Sequence, residues 1–278
     1  MEDKSIGSLK KNLMKLHYLL PAQKSRAMLI QRIYYWWYYY FQYYISNNGF
    51  RTLKESSYFK TVFKNGITIL TNENISWELV RTLPGYLARY KIRKGDIIVD
   101  CGAFLGEFAI YASKVVGPNG KVIAFEPDID SYNKLTRNID LNKINNIIAI
   151  PKGVWSKNAT LELNSNGVTS SLYSSGTMSS LIKIPVVSLD YELNGRGIEK
   201  VNFIKMDIEG AEIEAIKGST SLLTNGTNLA IASYHLVDGQ MTCNAVEKLL
   251  TKLGYSCITS NFLHRTTYAV PLDLTPRS

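Results

Sequence analysis

The stretch Asp100-Cys-Gly-Ala-Phe-Leu-Gly106 joins a predicted buried strand to a predicted helix through small residues. The apolar run at 97–101 is typical of a strand that enters a core. Apolar residues at helical spacing then predict a helix over 105–116. Gly102 and Gly106 flank the turn between the two elements, where backbone N–H groups and a helix N-terminus are open to a ligand.

A second short strand, predicted at 121–125, ends at Glu126, twenty residues past Gly106. An acid at that place and distance can accept hydrogen bonds from both hydroxyls of a ribose. Loop and acid together indicate half of a nucleotide-type cofactor site. The loop lacks GxGxxG spacing and has no following Gly-Lys-Ser/Thr, so neither the plain dinucleotide fingerprint nor a Walker loop fits. On these residues alone, the alternative that the glycines serve only helix–strand packing stays open.

Composition limits the class of protein without identifying it. With 278 residues, 45% hydrophobic and 20% charged, the chain suits one α/β domain with additions. Its net charge of +9 favours anionic partners such as membranes, nucleic acid or phosphorylated substrates, or else reflects a solvated basic surface. The three cysteines lack CxxC spacing, which supports neither a disulfide framework nor a zinc site. We therefore expect a cytoplasmic protein.

From residue 96 onward, strand and helix patterns alternate, which predicts an α/β fold with a mostly parallel sheet and right-handed crossovers. Only the stretch 151–195, rich in Ser, Asn and Gly, interrupts this alternation. Asp128 is a candidate N-cap for the helix that follows the second strand. The further elements expected are strands at 146–150, 160–163, 183–187, 201–206, 228–234, 255–260 and 266–270, and helices at 128–140, 209–217 and 242–253.

We predict two parts in the chain: a basic, aromatic and helical extension over 1–55, and a catalytic domain over 56–278. In the domain, a hairpin and helix at 56–92 precede a cofactor-binding core at 93–278, with Asn65-Gly66 as the hairpin turn. The segment 28–45 is dense in Tyr and Trp but too short in apolar residues to span a bilayer. Two interpretations stay open: contact with the headgroup zone of a membrane, or packing on the domain or in a dimer interface.

A second group of polar residues follows the strand at 201–206. Asp207 and Glu209 come directly after it, at the carboxyl end where open α/β sheets bind ligands. Glu212 falls in the first turn of the next helix, where an acid complements the helix dipole. His235 ends the following strand and is a candidate general base; the alternative is a rim histidine hydrogen-bonded to backbone.

Four segments together resemble the FkbM family of methyltransferases, a branch of the class I S-adenosylmethionine-dependent enzymes. They are Asp100-x-Gly102-Ala103-x-x-Gly106, Phe125-Glu126-Pro127, Val187-Ser-Leu-Asp190 and Lys205-Met-Asp207-Ile-Glu209-Gly210-Ala-Glu212. The resemblance covers roughly residues 60–270, and its most specific part is Lys-x-Asp-x-Glu-Gly-x-Glu. It implies a Rossmann-like, doubly wound, mostly parallel sheet.

The resemblance also implies a cofactor, S-adenosylmethionine, and the residues that bind it. The loop at 100–106 would hold the methionine part and ribose, Glu126 the ribose hydroxyls, and the segment after the third strand the adenine. The positions concerned are Asp100, Gly102, Ala103, Phe104, Gly106, Glu126, Pro127, Val154, Trp155 and Asp207. Ser170-Ser171 also resembles a family feature that borders the active site. Phe104 departs from the wider superfamily, which usually has Gly there.

By the same resemblance, the reaction is O-methylation, commonly of a sugar or polyketide hydroxyl. Methyl transfer from a sulfonium is an in-line displacement, so the protein must position the reactants and take a proton from the acceptor. We assign His235 as base, with Asp207 and Glu209 positioning acceptor or cofactor. The Asp–Glu pair could instead bind Mg²⁺, as in catechol-type methyltransferases, but only two candidate ligands are evident in the sequence. We predict no metal ligands, and the need for a divalent metal stays open.

Two other functions stay open at this point. A nicotinamide-dependent oxidoreductase would share the strand–loop–helix and the ribose acid, but the glycine spacing is wrong for it. A non-catalytic membrane-associated or nucleic-acid-binding module on the same fold is the second. A nucleic-acid substrate is not expected, since the chain has no Asn/Asp-Pro-Pro-Tyr/Phe motif for a flipped base. The expected acceptor is a small molecule or glycan, lipid-linked if the segment 28–45 contacts membrane.

Overall fold

A computed structural model describes residues 50–55, 57–63, 66–72, 83, 85–164, 181–261 and 264–272. The chain divides into a main unit, 52–62 with 67–278, and a second unit, 1–51 with 63–66, almost all of which lies outside the described residues. The aromatic segment 28–45 and Ser170-Ser171 lie outside them too, as does much of the helix expected within 56–92. The predicted domain boundary at residue 55 therefore stays a prediction.

The described elements follow the predicted alternation. The strands are β1 (Phe50–Glu55), β2 (Tyr58–Phe63), β3 (Thr68–Thr71), β4 (Ile97–Cys101), β5 (Lys121–Phe125), β6 (Ile147–Ile150), β7 (Gly153–Val154), β8 (Ala159–Asn164), β9 (Leu181–Val187), β10 (Phe203–Met206), β11 (Asn228–Ala232), β12 (Leu236–Val237), β13 (Gln240–Met241), β14 (Tyr255–Ser260) and β15 (Thr266–Pro271). The helices are α1 (Glu107–Val116), α2 (Ile129–Leu141), α3 (Leu189–Asn194), α4 (Glu212–Lys217), α5 (Thr220–Thr224) and α6 (Cys243–Lys252).

In the described part of the chain, the main sheet has seven strands in the order β14-β15-β11-β10-β4-β5-β6. Its pairs are parallel from β11 to β6, and β15 runs antiparallel to both of its neighbours. Strands β4, β5 and β10 are buried along nearly their whole length, which explains why their sequences are continuous apolar runs rather than alternating ones. The predicted α/β, mostly parallel fold is confirmed.

The helix boundaries show where local sequence signals succeed and where they fail. Asp128 caps α2 as expected, since its Oδ2 accepts a hydrogen bond from the Ser131 N–H at 2.9 Å. The helix predicted over 209–217 begins only at Glu212, because Glu209 (φ 54°) and Gly210 (φ 103°) are left-handed. Two short helices, α3 and α5, were not predicted. The Asp190 carboxylate joins them, accepting N–H groups at the start of α5.

Asn138 of α2 and Asn142, the C-cap residue of that helix, attach the N-terminal hairpin to the core. Strands β2 and β3 pair antiparallel, as the Asn65-Gly66 turn predicted. Along β3, the Asn138 side chain bonds both the N–H and the C=O of Leu70, at 2.9 and 3.3 Å, and Asn142 does the same with Thr68. The two amides therefore bond β3 much as a neighbouring strand would. Asn138 also donates to Leu105 O at 2.9 Å, so it ties the hairpin to the glycine loop.

Candidate active site

The loop between β4 and α1 is held against the end of β5. The N–H groups of Gly102 and Ala103 both donate to Phe125 O, at 3.0 and 2.9 Å. Three residues of the loop are left-handed: Gly102 (φ 75°), Phe104 (φ 49°) and Gly106 (φ 90°). Phe104 thus keeps a backbone conformation that favours glycine, at a cost on the order of 1–2 kcal/mol. Its departure from the superfamily pattern leaves the turn itself intact.

Gly102 makes the closest backbone approach in the loop. A Cβ at this position would overlap the carbonyl oxygen of Asp207, and its φ is positive as well. Only glycine satisfies both conditions. The loop after β4 and the segment after β10 are therefore in direct contact, and Asp207 adjoins the predicted cofactor site.

A buried ion pair lies next to the contact between the loop after β4 and the segment after β10. Asp100 is fully buried, and Lys205 Nζ lies 3.0 Å from its Oδ1 while donating to Gly102 O at 2.6 Å. Burial lowers the pKa of Lys205, but the carboxylates of Asp100, Asp207 and Glu107 outweigh burial and raise it. Burial raises the pKa of Asp100, which Lys205 partly offsets. Asp100, predicted as a cofactor residue, thus lies beneath the loop and anchors it through Lys205.

Glu126 lies at the end of β5, beside the loop, with a relative exposure of 6%. Its Oε2 accepts the Phe104 N–H at 2.7 Å and its Oε1 accepts the Asp128 N–H at 3.0 Å. Burial raises the pKa of Glu126 to about 7, against the lowering effect of these two N–H groups. Each carboxylate oxygen has a further lone pair that a ligand hydroxyl can use. Pro127 follows, partly buried.

Val154 and Trp155 lie where the chain leaves the main sheet after β6. Val154 is buried in β7, and the N–H of Trp155 donates to Val187 O at 2.9 Å. The Trp155 ring, partly buried, packs against Ile184 and Val186 of β9. Both residues follow β6 closely in the chain, and the end of β6 is bonded to Glu126, whose N–H donates to Ile150 O.

The carboxyl ends of β10 and β11 bring together Asp207, Glu209 and His235. Nε2 of His235 lies 3.5 Å from Asp207 Oδ1 and 3.5 Å from Glu209 Oε2. On the other side of the ring, Nδ1 lies 2.7 Å from Glu212 Oε1. Glu212 is fully buried, so it does more than complement a helix dipole: it orients the histidine. His235 is bonded to a carboxylate, and the backbone-bonded rim histidine is not what the structure shows.

Burial and nearby charges shift the pKa of both His235 and Glu209. Burial lowers the pKa of His235, but the three carboxylates outweigh it and raise the pKa above its usual value. Burial raises the pKa of Glu209 to about 7.

Two contributors to the site were not predicted from the sequence. Tyr86, fully buried, donates its hydroxyl to Asp207 Oδ2 at 2.6 Å. Glu107, directly after Gly106, has a pKa raised by burial to about 7 and is close enough to Lys205 to raise the pKa of the ammonium. No local pattern marks Tyr86, which lies well before the loop. Glu107 lies in the first turn of α1, where an acid is ordinarily explained by its favourable interaction with the helix dipole.

The family model described as "Methyltransferase FkbM domain" matches residues 100–257, more than half of the chain. The chain belongs to the FkbM methyltransferase family. Within the FkbM domain lie the loop, Glu126, the Asp207–Glu209–His235 cluster and Glu212. The loop, Glu126 and the cluster follow the carboxyl ends of the parallel strands β4, β5, β10 and β11.

Curated relatives and a solved structure agree with the FkbM domain. The hexuronic acid methyltransferase AglP of Haloferax volcanii is 26% identical over 140 residues, covering 50% of this chain and 56% of AglP. The methyltransferase sdnD of Sordaria araneosa is 30% identical over 154 residues, covering 44% and 59%. The chain thus spans a little over half the length of these relatives. The crystal structure of methyltransferase FkbM from Methylobacillus flagellatus, 22% identical with a TM-score of 0.50, covers 68% of this chain and 47% of that one; it shares the fold.

The residues present fit S-adenosylmethionine, the family's cofactor. Glu126 offers carboxylate lone pairs for ribose hydroxyls, beside the left-handed loop. Helix α1 has Gly106 as its N-cap residue, and no side-chain cap is found there among the described residues. Such a helix start suits a carboxylate such as that of methionine. Val154 and Trp155 would flank the adenine. When bound, this cofactor supplies a methyl group already activated on a sulfonium.

Proposed function

We propose that the protein is an S-adenosylmethionine-dependent O-methyltransferase whose acceptor is a hydroxyl of a sugar, a glycan or a related small molecule. One observation carries the proposal: the Asp207–Glu209–His235 cluster directly adjoins the cofactor loop, through the contact between Gly102 and Asp207. Side chains that can accept the proton of a hydroxyl group thus lie beside the proposed binding site of the methyl donor.

Methyl transfer to oxygen needs few protein groups. The acceptor oxygen must reach near-attack distance from the methyl carbon, in line with the sulfur, and must lose its proton. Asp207, Glu209 and His235 are the proposed catalytic residues, with Glu212 fixing the ring of His235 so that Nε2 faces the two carboxylates. Direct proton transfer to Nε2, the role predicted from the sequence, requires a neutral imidazole.

The sugar acceptor is supported by the relative AglP, whose name gives a hexuronic acid as its substrate. No helix among the described residues is long and apolar enough to cross a bilayer. The cytoplasmic location and the membrane contact through residues 28–45 stay predictions.

The function is tested by incubating the protein with methyl-labelled S-adenosylmethionine and fractionated glycolipid or polysaccharide extracts. We expect label in one glycan fraction, as an ether that resists alkali. Glu209→Gln should lower transfer while leaving affinity for S-adenosylhomocysteine nearly unchanged. Glu199→Gln, at an exposed position before the amino end of β10, should change neither. Thermal stabilisation by NAD but not by S-adenosylhomocysteine would favour the oxidoreductase. Cofactor binding without transfer to any fraction would favour the non-catalytic module.

Cofactor affinity should rise with pH because of Glu126. In the unliganded protein its pKa is about 7, and ribose hydroxyls donate to the ionised carboxylate. The ionised fraction therefore grows from roughly one tenth at pH 6 to roughly nine tenths at pH 8, and S-adenosylhomocysteine should bind about tenfold more tightly at pH 8. Calorimetric titration at several pH values measures this. Glu126→Gln should bind more weakly and lose the dependence; an unchanged dependence in this variant would assign it to another group.

A further inference from the structure

The three side chains of the cluster present their donor atoms to one another at a spacing that a metal ion would bridge. Nε2 of His235 is 3.5 Å from an oxygen of Asp207 and 3.5 Å from an oxygen of Glu209, and all three atoms lie within 4.8 Å of one another. A cation with bonds of about 2.1 Å separates adjacent ligand atoms by roughly 3.0 Å in octahedral and 3.4 Å in tetrahedral geometry. Small side-chain shifts would therefore complete a three-ligand face.

Two of these donor atoms are buried and, within the part of the chain that the structure describes, lack a hydrogen-bond partner. They are Nε2 of His235, a residue only 8% exposed, and Oδ1 of Asp207. Buried polar atoms in folded proteins are nearly always satisfied, and a bound ion is one way to satisfy such atoms. The two atoms lie 3.5 Å from each other, just past the carboxyl ends of the paired strands β10 and β11. One cation there would satisfy both.

The groups behind the ligands are those that accompany metal sites. Glu212 holds Nδ1 of His235 at 2.7 Å, and Tyr86 donates to the second oxygen of Asp207 at 2.6 Å. A carboxylate behind a ligating histidine, and a hydrogen bond to a ligating carboxylate, fix the orientation of both ligands. Lys205, the ammonium near the site, is engaged by Asp100 and Gly102 O. The carboxylates of Asp207, Glu209 and Glu212 thus leave an excess of negative charge.

We propose that Asp207, Glu209 and His235 bind one divalent transition-metal cation, such as Mn²⁺ or Zn²⁺, beside the cofactor loop. Two carboxylates and an imidazole suit these ions better than Mg²⁺, which prefers oxygen ligands alone. Three protein ligands leave coordination positions for an acceptor hydroxyl, and the cation lowers the pKa of that hydroxyl. In the transfer, the S–CH₃ bond breaks as the O–CH₃ bond forms, the proton passes to water, and S-adenosylhomocysteine leaves. This catalytic part rests on the proposed function; cation binding does not.

The test is a titration of the full chain, freed of metal by a chelator, with Mn²⁺ at neutral pH. The electron paramagnetic resonance signal of the free hydrated ion reports how much is bound. We expect one Mn²⁺ per chain, displaced by Zn²⁺. Glu209→Gln and His235→Ala should each abolish stoichiometric binding, and Glu212→Gln should weaken it by about 10–100-fold. Glu199→Gln, which removes an exposed acid elsewhere, should bind as the parent does.

Binding of S-adenosylhomocysteine by the same preparations separates the possible outcomes. A variant that still binds it is folded, so its loss of Mn²⁺ is specific to the ligand set. The absence of saturable Mn²⁺ binding up to millimolar concentration, or binding that Glu209→Gln leaves unchanged, would overturn the metal site. Direct proton transfer to His235 Nε2 would then remain, and the proposed methyltransferase function would be unaffected.

Discussion

Replacing Gly102 with alanine is expected to abolish binding of S-adenosylhomocysteine and to lower the free energy of unfolding by about 3 kcal/mol or more. Two costs add at this residue. Its φ of 75° is strained for any residue with a side chain, and the new Cβ would overlap a backbone carbonyl, that of Asp207. A backbone atom at the end of a central strand cannot move aside as a side chain can. The loop must shift instead, and Phe104 N moves away from Glu126.

Gly95→Ala is the matched control. Gly95 has a similarly positive φ, 86°, but an added Cβ would have no atom within 4 Å. This variant should show the conformational cost alone, about 1 kcal/mol, with unchanged cofactor affinity. Urea denaturation and calorimetric titration measure both quantities. Equal losses in the two variants would mean that the contact between the loop and Asp207 has no special importance.

The second large effect is expected from Lys205→Met, which should lower the free energy of unfolding by about 3–5 kcal/mol. The substitution leaves the carboxylate of Asp100 fully buried without its ion-pair partner, and removes the hydrogen bond to Gly102 O. An uncompensated buried charge costs far more than the pair itself contributes. Chemical denaturation at neutral pH measures the change.

Two comparisons test that explanation. Lys217→Met breaks a pair with Glu214 whose lysine side chain is 51% exposed, and should cost no more than about 1 kcal/mol. Adding Asp100→Asn to Lys205→Met should restore part of the lost stability, because it removes the stranded charge. A double variant as unstable as the sum of the two single ones would show that the charges act independently.

The sequence predicted the central sheet well because its strands are buried on both faces. Runs such as those of β4 and β10 have no competing interpretation once they alternate with segments of helical periodicity. Predicted helix boundaries were wrong where tertiary contacts override local preference. Nothing in the sequence marks Glu209 as left-handed, so the helix that follows it was predicted to begin three residues early.

For the candidate site, the residues could be predicted from the sequence, but the contacts between their side chains could not. Loop and strand-end residues lie at the predicted edge because the carboxyl ends of parallel strands meet there. The pairing of Glu212 with His235, and of Tyr86 with Asp207, joins residues 23 and 121 positions apart, and no periodicity reports such contacts. That is why His235 was predicted as a base, with Asp207 and Glu209 positioning acceptor or cofactor, but without its contact to Glu212. It emerged as one member of a set that is able to hold a cation.

The position of β15 has a consequence for how the chain folds as it is made. This strand lies between β11 and β14, and among the described strands β14 pairs with no other member of the main sheet. When residues 255–260 leave the ribosome, they therefore cannot join this sheet until 266–271 follow. The pairing of β14, and with it the packing of α6 on β14, thus depends on the synthesis of β15. A stalled or shortened chain would expose the flank of β11 as an open edge, where association with other chains is favoured.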